Sequence, residues 1–547
     1  MNEAGAIADV CIVGSGAGGG VMAAELAHAG IDVVVLERGP ERTTTDFLHQ
    51  DELSNMVRQD FFAPDYRETL REHAGQDAKP GRYSLLAQTL GGSMVHWGAW
   101  SWRFRADEMR ALSRDGAVPG ANLADWPIDY AELEPFYAQA EQSLGVSGRS
   151  GSNPFEMPRR EQYPNPPHVY RPSSRLIEEG AHRLGLHPFP SPLAINSRPY
   201  EGRAKCMNGG QCAGFGCPVN AKASPLVIHV PAARASGNAR FLTGARALEI
   251  TVDSESRARG VIYRGADGLV REQRARQIIV AGGSIGSATL LLASRSARFP
   301  QGLANGSDQV GRNLMSHVFA YLNFEMREPS LAQFGPPGNV AIDDYHPSSA
   351  GRGFVGGAVI GEAIDPLPIV SATKSTDYLR GQRAWGAGLS RYLERYPHYC
   401  GMIAIGEDLP QADNRIDLDP DHQDAEGVPL PRITCARHPN DLALARFMEE
   451  RMREIAEAGG ALKTFATEYT AARTASGHIM GTCRMGDDPR TSVIDRWCRS
   501  HEVPNLWVVD GSFFPTSGGY NPTLTIVANA YRVAAHFVAE ARRLNLR

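Results

Sequence analysis

The stretch Asp9-Val-Cys-Ile-Val13-Gly14-Ser-Gly16-Ala-Gly-Gly19 decides the fold. The run from Ala8 to Val13 is apolar and β-branched on both sides, which predicts a strand buried within a parallel sheet. Glycines then follow at G-x-G-x-x-G spacing. Gly14 permits the tight turn, Gly16 lets backbone approach a pyrophosphate, and Gly19 lets the next helix, predicted over 21–29, pack on the strand. A second buried strand, Asp32-Val-Val-Val-Leu36, ends at Glu37, about twenty residues beyond the glycines, where an acid takes both ribose hydroxyls. Glu37 and its neighbour Arg38 are the candidate contacts on that side. The unit reads as a dinucleotide cradle, and by itself it serves FAD or NAD equally.

The 547 residues exceed a single small core and imply two or three folded units or an interleaved pair. A composition of 42% hydrophobic and 21% charged residues is that of an ordinary soluble globular protein. The net charge of -5, with arginines scattered among acids, gives no reason to expect a nucleic-acid partner. No apolar run reaches the roughly 18 to 20 residues of a membrane span, and the first such run is already the opening strand, so neither a span nor a signal peptide is expected. Of eight cysteines, Cys11, Cys400, Cys435, Cys483 and Cys498 lie singly, the pattern of reduced thiols rather than of a disulfide scaffold.

Four further motifs carry a resemblance: Gly91-Gly92-Ser-Met-Val-His96-Trp97-Gly-Ala-Trp-Ser-Trp-Arg103-Phe104, Ala281-Gly-Gly-Ser-Ile-Gly286-Ser-Ala-Thr-Leu-Leu-Leu, Val310-Gly-Arg-Asn-Leu, and the segment from His478 to Ala535. Together they make the chain similar to the glucose-methanol-choline (GMC) oxidoreductases over nearly its whole length. Within that family it most resembles the large subunits of bacterial gluconate, fructose and FAD-dependent glucose dehydrogenases, and more distantly pyranose oxidase. The resemblance implies FAD and an α/β architecture: a Rossmann-like FAD-binding domain assembled from discontinuous segments, with an α+β substrate-binding cap. The FAD domain is expected over 1–110, 201–325 and 471–547, and the cap over 111–200 and 326–470. Local pattern agrees, since Gln277-Ile-Ile-Val-Ala281 and Asn505-Leu-Trp-Val-Val-Asp510-Gly511 read as strands that end beside the cofactor.

Gly91 and Gly92 admit close backbone approach. His96 resembles the position of a covalent flavin attachment; the other reading is a histidine packed on the isoalloxazine. Asp510 and Gly511 are expected at the ribityl or pyrophosphate. Pro522 and Thr523 open the last helix, whose N–H groups would face the flavin where negative charge grows. Oxidising an alcohol needs a base and a hydride acceptor held together, and His478 is the candidate base. Asn521 can donate to the substrate oxygen without competing for its proton. The other histidines are read as structural. Tyr520, Trp97 and Phe514 are candidate walls of a dry pocket.

Cys206, Cys212 and Cys217 lie in a glycine-rich loop. In the resembled dehydrogenases the equivalent loop holds a three-iron (3Fe-4S) cluster on four cysteines; here Met207 replaces the second and the last gap is one residue longer. An iron–sulfur site, bare thiols, or zinc completed by a histidine therefore all remain open. The resemblance implies oxidation of a CH–OH group of a sugar, sugar acid, glycoside or polyol, with His478 taking the proton and flavin N5 the hydride. An oxidase of the same family, or a flavin-binding lyase, is the alternative. It also implies a small export subunit and a cytochrome c acceptor, with the chain cytoplasmic or carried to the periplasm by that subunit.

Overall fold

The computed structural model describes residues 7–48, 51–58, 67–210, 212–362, 367–373, 385–465, 476–541, 543–544 and 546. Its organising element is a seven-stranded sheet built from remote parts of the chain. Strand Ala8–Val13 lies between Val33–Glu37 and the long strand Val270–Val280, parallel to both. Ala239–Thr243 extends one side and Leu506–Val508 the other, again in parallel. Every residue of Ala8–Val13 and Val33–Glu37 is buried, which is why both read as unbroken apolar runs. The first half of Val270–Val280 instead pairs antiparallel with Ala258–Arg264, which pairs with Arg246–Val252.

Helix Ala17–His28 starts four residues before the position expected for it, directly at Gly16. The turn ahead of it has no room for a side chain at Gly14: φ is +96°, and a Cβ would stand 2.3 Å from the Ala281 carbonyl oxygen. That contact joins the N-terminal glycine turn to the start of the second one, which leads into helix Gly283–Ala293.

A second sheet has six strands and a different logic. Its central pair, Val318–Glu325 and Tyr399–Gly406, is antiparallel with Phe319 opposite Ile405 and Tyr321 opposite Ile403. Along Val318–Glu325 residues alternate: Val318, Ala320, Leu322 and Phe324 are buried and the intervening residues are more open. The buried set packs with Leu444, Ala445, Met448, Met452, Ile455 and Ala456 of helix Pro439–Gly459. Those positions recur at helical spacing and put one stripe of the helix on the sheet. Strand Val318–Glu325, from the second segment expected for the FAD domain, thus pairs with Tyr399–Gly406, from the second segment expected for the cap. Likewise Glu68–Arg71 and Lys79–Gly81, from the first expected FAD segment, form a four-stranded sheet with Arg415–Gln423 and Pro429–Thr434. Among the described residues no helix is long and apolar enough to cross a membrane.

Met448 is 1% exposed at the centre of that helix–sheet contact. Met448→Ala is expected to cost about 2–5 kcal/mol of stability through the cavity it leaves. Chemical unfolding read separately by tryptophan and by cofactor fluorescence would check this, since the loss should register without prior release of cofactor.

Candidate active site

The three segments of the seven-stranded sheet and one face of the six-stranded sheet enclose a cavity of about 770 Å3. At one end its wall is made by Gly14, Ser15 and Gly16, the first turn of helix Ala17–His28, and Glu37 with Arg38. Backbone N–H groups at a helix start suit phosphate. Both Glu37 carboxylate oxygens already accept hydrogen bonds: Oε2 from the Ser15 N–H (3.1 Å) and hydroxyl (2.7 Å), and Oε1 from the Gly39 N–H (2.8 Å). A carboxylate has about four lone-pair positions, so capacity remains for ribose hydroxyls. The Ser15 hydroxyl in turn accepts the Gly91 N–H at 2.9 Å, tying the glycine turn to the loop that carries His96. Ser15 escaped the sequence reading; its place between Gly14 and Gly16 was the available signal.

Ala281, Gly92, His96, Asp510, Gly511, Pro522 and Thr523 also line the cavity. Gly19 and Gly91 stand behind its wall: Gly19 is buried in the helix, and Gly91 precedes the short helical turn Gly92–Val95. At Gly92, φ is +63° and a Cβ would lie 2.7 Å from the Gly16 Cα, so the two loops meet backbone to backbone. Asp510 lines the wall with both oxygens occupied. Oδ2 takes the Gly283 N–H and the Ser287 hydroxyl, and Oδ1 takes the N–H and hydroxyl of Ser512. Helix Thr523–Ala539 begins at Pro522, so its free N–H groups open on the cavity.

At the other end stand His478 and Asn521, with Asn521 Nδ2 3.2 Å from His478 Nε2. Burial, with a contribution from neighbouring His317, holds the His478 imidazole well below its ordinary value, so it is neutral near pH 7 with a lone pair to offer. His317 Nδ1 lies 2.9 Å from His478 Nδ1. Trp102 donates its indole N–H to Asn521 Oδ1 at 2.9 Å. Neither was given a role from sequence: His317 follows the Val310-Gly-Arg-Asn-Leu motif by three residues, and Trp102 stands within the motif that carries His96.

Phe319 packs beside His478 with ring centroids 5.3 Å apart and stacks on Tyr321 at 6.3 Å and 24°. With Trp97, Trp100, Ile403 and Ile405 these rings wall the cavity. Tyr520 and Phe514, expected there, lie elsewhere. Phe514 is fully buried and stacks on Phe513 at 4.4 Å, while the Tyr520 hydroxyl donates to Asp343. Their flanking glycines and prolines turn them into the core behind the wall.

That core holds a buried charge cluster. His346 lies 2.8 Å from both Glu108 and Asp343, and Glu108 also accepts the Gly519 N–H. Glu108 and Asp343 thereby hold the segment that presents Asn521.

His96 lines the cavity with its ring edge-on to Phe47 at 6.2 Å. Burial, then the nearby Lys222 and Arg42 charges, pushes its pKa down to about 3, so the ring is neutral. The buried Lys222 ammonium donates to the carbonyls of Trp97 (3.0 Å), Cys212 (2.6 Å) and Phe215 (2.6 Å). It clamps the cysteine loop to the His96 loop. Among the described residues no group of three His, Cys, Asp or Glu side chains is placed to hold a metal ion. Cys212 Sγ contacts the Gly335 carbonyl at 3.5 Å, and burial pushes its thiol up to about 12. Met207 of the same loop is 69% exposed.

Residues 17–319 match the N-terminal model of the GMC oxidoreductases, and residues 410–530 the C-terminal one. The chain belongs to the GMC oxidoreductase family. This GMC oxidoreductase is 33% identical to paromamine 6'-oxidase of Streptomyces fradiae over 96% of its own length and 90% of that protein. It is 32% identical to the gluconate 2-dehydrogenase flavoprotein of Pantoea cypripedii, over 96% and 92%. Its fold matches the crystal structure of pyridoxine 4-oxidase from Mesorbium loti with a TM-score of 0.66 at 18% identity, covering 97% of this chain and 99% of that one. Relatives of this GMC oxidoreductase are thus named as oxidases and dehydrogenases, and the cavity, glycine cradle and helix N-termini fit the FAD of a flavoprotein.

The His346 cluster makes a pH-dependent contribution to stability. Burial opposes its charge, but Glu108 and Asp343 outweigh this and raise His346 to about 10. An unfolded histidine titrates near roughly 6.5, so the stabilisation is complete below that pH and is lost as pH rises toward the folded value. Unfolding free energy measured against pH should decline across that alkaline window. His346→Gln should abolish the dependence at a cost on the order of 3–5 kcal/mol, because two buried carboxylates lose their cation.

Proposed function

We propose that the chain is an FAD-dependent dehydrogenase that oxidises a CH–OH group of a sugar, sugar acid, glycoside or polyol to a carbonyl. The carrying observation is the His478–Asn521 pair at 3.2 Å, set in the wall of the cavity whose far end is the glycine cradle. Gly14, Gly16, Glu37, Arg38 and the first turn of Ala17–His28 would hold the dinucleotide. Gly92, His96, Ala281, Gly511, Pro522 and Thr523 would hold the flavin end. When bound, the flavin supplies the hydride acceptor.

The protein's own groups then divide the work. His478 Nε2 takes the hydroxyl proton as general base. Asn521 Nδ2 donates to the same oxygen as negative charge develops on it. Phe319 and Tyr321 offer flat faces against which the C–H side of a sugar ring can rest while its hydroxyls stay free to hydrogen-bond. The names of the paromamine and gluconate relatives favour this substrate class.

Anaerobic addition of a panel of sugars, sugar acids and glycosides to the holoenzyme should bleach the flavin with one of them. Turnover without bleaching would reject oxidation, and stoichiometric peroxide in air would identify an oxidase. His478→Ala should lower kcat/KM by about 10²–10⁴-fold and Asn521→Ala by about 10²–10³-fold. The depressed imidazole places the acid limb of the wild-type kcat/KM profile below pH 6.5: protonation removes the base, so activity falls only as pH drops through that lowered value. A limb above the ordinary histidine value would contradict the assignment.

His96 is proposed as the covalent tether, because its neutral ring lines the cavity on the loop fastened to Ser15 and Lys222. Acid-denatured protein should then retain yellow fluorescence on a gel, and His96→Ala should release its flavin into the supernatant. Free flavin from the wild type would show that His96 only packs against the ring.

A further inference from the structure

We propose that Trp102 and His317 are positioning residues that polarise a one-way hydrogen-bond chain, Trp102 to Asn521 to His478 to His317, and thereby fix His478 in the tautomer whose bare Nε2 faces the substrate. The inference rests on the reading of His478 as base and specifies which of its nitrogens acts and what holds it so.

An indole N–H can only donate. Facing Asn521 Oδ1 at 2.9 Å, Trp102 removes the freedom of the amide to flip, because the inverted amide would set N–H against N–H. Asn521 Nδ2 is therefore the atom turned to His478 Nε2, and a ring nitrogen that faces a donor must carry the lone pair. A neutral imidazole has one N–H, so the proton of His478 sits on Nδ1. That N–H meets His317 Nδ1 at 2.9 Å, which must then be an acceptor and leaves the His317 proton on Nε2. Nε2 makes no well-aligned bond, but the backbone carbonyls of Ser517, Gly518 and Tyr520 lie against the ring and can only accept. A donor-only group at one end and acceptors at the other leave one consistent arrangement. Reversing any interior link would oppose two donors or two lone pairs.

Both ends are rigid. The Trp102 ring stacks on Tyr520 at 5.5 Å and 12° and meets the edge of Phe189 at 5.9 Å. The adjacent Arg103 grips Glu141 with Nε at 2.8 Å and Nη2 at 2.7 Å, fixing the backbone that carries the indole. His317 is 0% exposed, and burial holds its imidazole down to about 3, so it stays neutral beside His478. It is placed to accept the Nδ1–H of His478. Neither Trp102 nor His317 lines the cavity, so each acts through its neighbour.

The test is a long-range ¹H–¹⁵N spectrum of ¹⁵N-histidine-labelled holoenzyme at neutral pH, with the His478→Ala spectrum identifying the resonances. Nδ1 should be protonated and Nε2 bare in His478; the opposite tautomer overturns the proposal. Trp102→Phe keeps the ring stack and removes the N–H, and should lower kcat about ten- to a hundred-fold with little change in KM. His317→Leu should mix the two tautomers and shift the acid limb of the pH profile, and His317→Asn, which returns an acceptor near the Nδ1 position, should recover most of that loss. Unchanged tautomer, kcat and pH profile in both Trp102→Phe and His317→Leu would also overturn it. Failure of the base assignment has a separate signature: the wild-type tautomer as stated, with undiminished turnover in His478→Ala.

Discussion

Asp510 is a buried carboxylate with four hydrogen-bond donors, two from Ser512 in its own segment and two from Gly283 and Ser287 in the middle of the chain. An ion in that position requires full hydrogen bonding, since burial favours the protonated form and raises its pKa. Meeting the requirement registers Leu506–Val508 on Val270–Val280 and brings the glycine turn at 282–283 against the C-terminal segment. From that registration the rest follows: Gly14 closes on Ala281, Ser15 on Glu37 and Gly91, and helix Thr523–Ala539 opens on the same cavity as helix Ala17–His28. Segments hundreds of residues apart are held in one wall by neutral donors around a single charge.

What the sequence discloses depends on whether the determining physics is local. The strand Ala8–Val13, the glycine turn and Glu37 are legible because burial on both faces and a tight turn each leave a mark within a few residues. His478 and Asn521 are legible because small residues crowd the backbone around them. His317 and Trp102 are not, since their importance lies in which atom donates and which accepts across contacts 161 and 419 residues long. The pairing of Val318–Glu325 with Tyr399–Gly406 is hard to read from sequence because a strand with one face on a helix and the other on an apolar cavity carries only a weak alternation. Tyr520 and Phe514 follow the same lesson: nearness in sequence to Asn521 does not fix the direction of a ring.

The cysteine loop has a part that its composition does not announce. Beside its three thiols stands Lys222, whose ammonium donates to three backbone carbonyls. Burial without a carboxylate beside it lowers that ammonium to about 8. The loop has a mechanical role. Through Lys222 and through the Gly214 N–H donated to the His96 carbonyl at 2.7 Å, it braces the wall against which the flavin end is expected to rest.

The alternation along Val318–Glu325 separates two obligations that most core strands must meet with the same residues. Even-numbered side chains answer to helix Pro439–Gly459, and Phe319 and Tyr321 answer to the cavity, with Ile405 and Ile403 opposite them. Mutational drift on the inward face can thus retailor ligand preference while the outward face keeps the scaffold standing, so one architecture can be inherited by enzymes with divergent diets.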